Sequence, residues 1–205
     1  MKRIFFVGIF ALLLMVTLAA CSSSNQTDTK DTNNPPKTDA GKSGGTITVT
    51  SVREPDTVDV QRTTWVDDAN AHLYEPLVRF DEDGTIVPAL AEKFEFSNDG
   101  KVIIFTIKEG AKFHSGTPVT AEGVKKSFER FIDSAPTSYM VGPLEKMVVA
   151  DELTLELHFS EPFAPFLSNA TTAYLAPLDP TVIDEHGDDF GNHASSAGIL
   201  SLKEV

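Results

Sequence analysis

Residues 90–131 read LAEKFEFSNDGKVIIFTIKEGAKFHSGTPVTAEGVKKSFERF, and every other segment of the 205-residue chain makes sense as their leader, tether or continuation. Asn98, Asp99 and Gly100 form a turn between Phe94/Phe96 and a strand in which Ile103, Phe105 and Ile107 fall on one face. A second turn, at Lys108, Glu109 and Gly110, leads into FHSGTP at 113–118. Thr120 then caps a helix whose apolar face is Ala121, Val124, Phe128 and Phe131.

Many positions of this stretch stand in one register: Leu90-Ala91-Glu92, the Asp99-Gly100 turn, Phe105 and Ile107, Gly110, Lys112-Phe113-His114, Gly116-Thr117-Pro118, and Thr120-Ala121-Glu122 before Val124, Ser127 and Arg130. Together they resemble the signature of the family 5 solute-binding proteins, the extracytoplasmic peptide and nickel receptors of ABC importers. Two positions depart from it: Ser115 and Gly123 stand where the family usually has Asp. An acidic residue at the third helical position would meet the positive end of the helix dipole, so Gly123 predicts a weakly started helix.

The resemblance extends both ways, to Glu75-Pro76-Leu77-Val78 after a helix expected from Trp65 to Tyr74, and to a short helix with Pro162 in its first turn. It implies a mixed α/β fold, periplasmic-binding-protein-like of type II. Residues 46–205 would then be the N-terminal portion of the family domain, an incomplete first lobe with the second lobe missing. At Ala194-Ser195-Ser196-Ala197-Gly198-Ile199, relatives carry a proline and a G-T-G-P turn instead.

The N-terminus gives the compartment. Met1-Lys2-Arg3 is a basic start, and the apolar run from Ile4 to Leu18 reads as a signal peptide, residues 1–20. Leu18-Ala19-Ala20-Cys21 resembles a bacterial lipobox, which implies that Cys21, the sole cysteine, carries lipid. Residues 21–45, nearly free of large apolar side chains, form a flexible tether. Gly41-Lys42-Ser43 lacks the strand and leading glycine of a phosphate-binding loop. The formal charge of −13, with 30 acidic residues against 17 basic, argues against nucleic acid as a partner, and 41% hydrophobic residues suffice for a core.

Thr46-Ile47-Thr48-Val49-Thr50 alternates like a first strand. The loop after it resembles the segment that such receptors place against ligand, which makes Glu54, Pro55 and Asp56 candidate ligand-binding residues. Tyr139 joins them because nickel-binding relatives place an aromatic residue there. Trp65, the only tryptophan, is expected in the core or at an interface between lobes. Residues 133–139 read as a Pro136-interrupted loop. Met147 to Phe159 reads as a hairpin around Asp151-Glu152, with Leu153, Leu155, Leu157 and Phe159 on one face and His158 on the wet one. Asp179-Pro180 to His186 reads as another short helix.

No nucleophile elbow, H-E-x-x-H or paired cysteines occur, and the five histidines lack metal-ligand spacing, so neither enzyme, cofactor nor metal site is expected; a solvated loop is the expectation for His186 and His193. The function implied is that of a monomeric lipoprotein on the outer face of the cell membrane, capturing a peptide or other small molecule for an ABC permease. The alternatives are a nickel or metal-chelate receptor of the same family, or a remnant that binds nothing. A single lobe leaves polar partners in water, so the chain alone is expected to bind weakly.

Overall fold

A computed structural model describes residues 45–97 and 99–203. The expected signal peptide, Cys21 and nearly all of the expected tether therefore lie outside the described residues. Contacts divide the chain into Met1–Thr46 and Ile47–Val205, and the second unit carries all the regular structure that is described. Strands β1 (Val78–Phe80) and β2 (Ile86–Pro88) form a short antiparallel ribbon. Strands β3 (Ala91–Phe96), β4 (Val102–Ile107), β5 (Leu144–Val149) and β6 (Thr154–Phe159) make an antiparallel sheet in the order β3-β4-β6-β5. The helices are α1 (Asp68–Ala71), α2 (Ala121–Ser134), α3 (Pro165–Asn169) and α4 (Pro180–His186), with 3-10 segments at Ser138–Val141, Ala173–Leu175 and Gly187–Asn192.

The central stretch folds as its pattern dictates. Asp99 turns the chain by accepting hydrogen bonds from the Ser97 hydroxyl and the Lys101 backbone N–H, and Gly100 supplies the positive φ of 70°. Phe105 pairs with Phe94 on one side and Leu155 on the other, and Ile103, Phe105, Ile107, Leu155 and Leu157 are all buried. The Thr120 hydroxyl accepts the Gly123 N–H at 3.1 Å, and Ala121, Val124, Phe128 and Phe131 face the core of α2, which packs on β5 and β6. Gly123 has a packing reason: a Cβ there would stand 3.3 Å from Pro180 Cγ, so its small size lets the first turn of α4 come close. A second cluster, of Val60, Tyr74, Ala176, Leu178, Phe190 and Ala194, sits apart from the main core.

Four expectations are corrected. Thr46-Ile47-Thr48-Val49-Thr50 forms no strand; Ile47 is 89% exposed and no described strand lends its edge. The helix expected from Trp65 to Tyr74 shrinks to α1, because Thr63 Oγ accepts the Trp65 N–H at 3.0 Å and Asp67 caps Asn70 N–H at 2.7 Å, so the helix starts only after Asp67. Helix α3 begins at Pro165 rather than Pro162. Residues 133–139 are not wholly loop: α2 runs through Ser134, and a 3-10 turn takes up Ser138 and Tyr139.

Candidate functional site

Glu54, Pro55 and Asp56 lie on an irregular segment that rises to the surface between the exposed start of the unit and the second core cluster. Glu54 and Asp56 are exposed and Pro55 half-buried. Asp56 accepts a hydrogen bond from the Thr63 hydroxyl at 3.2 Å and lies 3.6 Å from the Arg53 guanidinium. That guanidinium in turn stands over the Trp65 ring, 5.4 Å from its centroid. Trp65 is thus no core residue: it is 40% exposed and lines a hollow of about 340 Å³ with Val49, Val52, Asp67 and Asp68. A second hollow, about 290 Å³, runs along Glu54, Pro55 and Asp56 on one side and Gly191 and Asn192 on the other.

Tyr139 is 77% exposed on its 3-10 turn, and no hydrogen bond joins it to residues 54–56 among those described. Tyr174 is half-buried. Burial pushes its phenol upward, a hydrogen bond with the Val66 backbone opposes this, and Tyr139 and Asp56 both lie within electrostatic reach. Tyr174, Asp67 and Asp68 were missed in the sequence, where nothing marks them as neighbours of this loop.

Beneath this surface the segment is anchored rigidly. Arg130 forks onto both oxygens of Asp59 and donates to Gln61 Oε1 at 2.8 Å, while Gln61 donates to the Ser127 carbonyl at 3.1 Å. The Tyr74 hydroxyl donates to the Val58 carbonyl. Burial, then the Asp59 charge, raises the Tyr74 phenol far above its ordinary range, against the opposing pull of Arg130. A second hub is Asp179, which caps α4 by accepting from Thr181 N–H at 3.0 Å and also accepts from the hydroxyls of Ser115, Thr181 and Ser195. Ser115 therefore does more than turn the chain: it ties the 113–118 loop to α4.

The histidines divide into two groups. His72 is exposed, His114 contacts the Gly198 carbonyl at 2.8 Å, and His158 lies 2.8 Å from Glu156. His186 and His193, by contrast, are not separate solvated loop residues: their rings stack with centroids 3.6 Å apart, and Asp189 joins them.

Comparison with known proteins adds the following. Residues 85–199 match a model of the bacterial extracellular solute-binding proteins, family 5 Middle. The chain is 35% identical over 141 residues to the probable D,D-dipeptide-binding periplasmic protein DdpA of Escherichia coli strain K12, across 63% of this chain and 27% of that protein. It is 28% identical over 138 residues to the nickel-binding periplasmic protein of the same organism, across 64% of this chain and 24% of that one. Haemophilus influenzae OppA in complex with the peptide RPPGFSPFR superposes with a TM-score of 0.68 at 25% identity, across 74% of this chain and 34% of that one. The chain spans about a quarter of the length of these two relatives and about a third of that structure.

Proposed function

The chain belongs to the bacterial extracellular solute-binding proteins, family 5, and from that premise we propose that it captures oligopeptides outside the cytoplasm and hands them to an ABC permease, held at the membrane by lipid on Cys21. Its mixed α/β arrangement is part of a type II periplasmic-binding-protein fold. The observation that carries the peptide reading is the composition around the two hollows: exposed carboxylates at Glu54, Asp56 and Asp68, the Arg53 guanidinium and one accessible indole. A peptide offers the complementary set, an ammonium for the carboxylates, a carboxylate for Arg53 and a side chain for Trp65.

The sole tryptophan makes the test direct, because its indole N–H resonance reports on this surface alone. Peptides at millimolar concentration are expected to shift the Trp65 indole and the amides of 53–58, and Asp56→Asn to weaken that response several-fold. Shifts with chelated nickel but not with peptide would move the assignment to a metal-chelate receptor, with Arg53 and Tyr139 as its pocket, a reading that the 28% identity to a nickel-binding relative favours. No shift with either leaves a protein that binds nothing. For the anchor, Cys21→Ser is expected to move the protein from the membrane to the soluble fraction, and mass spectrometry finding unmodified Cys21 in membrane-extracted protein would refute lipidation.

A further inference from the structure

We propose that His186, Asp189 and His193 form a binding site for a divalent transition-metal ion of the zinc type, separate from the surface around Trp65. His186 ends α4, and the 3-10 segment Gly187–Asn192 then folds back so that Asp189 and His193 return to it. The Asp189 Oδ2 and His193 Nε2 atoms are 3.3 Å apart, and one donor atom from each of the three residues lies within 4.8 Å of the others. Ligands at ~2.1 Å from a tetrahedral zinc stand about 3.4 Å from one another, so the cluster needs to close by roughly an ångström.

Two imidazoles and one carboxylate are a donor set that suits zinc, nickel or copper and is too nitrogen-rich for magnesium or calcium. One supporting contact is also present: Asn192 Nδ2 donates to Asp189 Oδ1 at 2.6 Å and so turns the other oxygen towards His193. A hollow of about 300 Å³ beside the two histidines leaves room for water in the remaining coordination positions.

The rings themselves state what binding requires. They lie parallel, 12° apart, and parallel rings aim their lone pairs side by side rather than at one point. One ring has to rotate, and His193, with 44% of its side chain exposed against 25% for His186, is the less enclosed of the two. Gly191 and Asn192, which sit inside the same loop, also line the hollow beside Glu54 and Asp56, so an ion held here would fix one wall of that hollow.

The full chain carrying Cys21→Ser, which removes the competing thiol, is titrated with zinc against a chromophoric chelator and with cobalt, whose visible absorption reports the ligand field. One ion per chain is expected, with affinity falling at least tenfold in His186→Ala, in His193→Ala and in Asp189→Asn, and unchanged in His72→Ala. Affinity should also fall from about pH 7 to about pH 5, as protons compete for the imidazoles. Far-UV circular dichroism without metal checks that each variant is folded, and the exposed Asp189→Asn carries the test if a histidine variant is not. Absence of a one-to-one phase in the parent, or its survival in the folded variants, overturns the proposal.

Discussion

At Arg130 a full positive charge is held with 11% of its side-chain surface exposed, against Asp59 at 2%. Removing one partner of such a pair leaves the other charged and dry, so Arg130→Met is expected to cost ~3–5 kcal/mol in urea denaturation, whereas replacing Asp59 and Arg130 together by apolar residues should recover much of it. Asp179 adds a pH dependence. Burial alone would raise its carboxyl, but the hydroxyls of Ser115, Thr181 and Ser195 and the Thr181 N–H outweigh it and hold the group below the usual carboxylate range. The folded chain therefore binds this proton less readily than the unfolded one. Its contribution is complete above the unfolded value of about 3.9 and is lost as pH falls through the lower, folded value. Urea midpoints measured from neutral pH downward should fall on the acid side in the parent and fall less steeply in Asp179→Asn. Arg130 was legible as part of a motif, but its partners were not: Asp59 and Gln61 lie 71 and 69 positions away, and no local pattern records such a distance.

Among elements, β4 was the most legible: Ile103, Phe105 and Ile107 fall on one face, and the structure buries that face while Val102, Ile104 and Thr106 stay half-buried. Phe105 sits at its centre, with the rings of Phe94 and Phe166 6.3 and 6.4 Å away. Phe105→Ala is expected to cost ~3–5 kcal/mol, read as a lower urea midpoint with the slope unchanged; stability equal to the parent would refute the central place given to this side chain. Strand β6 was legible for the same reason, and α2 through its Thr120 cap and the helical spacing of Ala121, Val124, Phe128 and Phe131. The stretch Thr46 to Thr50 alternates too, yet alternation records only which face is dry. It does not record whether a neighbouring strand is at hand, and there the reading failed. Around Trp65 it failed for another cause: the hydroxyl of Thr63 and the carboxylate of Asp67 bind backbone N–H groups that a longer helix would have used. The candidate loop was found through family likeness alone; the Arg53–Trp65 stack beside it left no trace in the sequence.

Across the whole unit, the last described residues bind the earlier ones together. The His114 N–H donates to the Ser196 carbonyl at 2.8 Å, the Leu200 N–H to the His72 carbonyl at 3.2 Å, and Gly198 lies so close to Leu73 that a Cβ would come within 2.4 Å of its backbone. Gly198→Ala is expected to lift this segment, with faster hydrogen exchange at Leu200 and His114 while the amides of β4 stay protected; unchanged exchange at both would show that the segment does not brace the fold. The second core cluster is closed from the same end, since Phe190 covers Val60 and Tyr74, and Arg62 pairs with Asp188 across 126 positions. That separation has a meaning in time. A ribosome adding roughly 5–20 residues each second needs ~6–25 s to pass from one partner to the other. For roughly that interval Val60 and Tyr74 lack the Phe190 ring, so their cluster closes only after nearly the whole unit has been made.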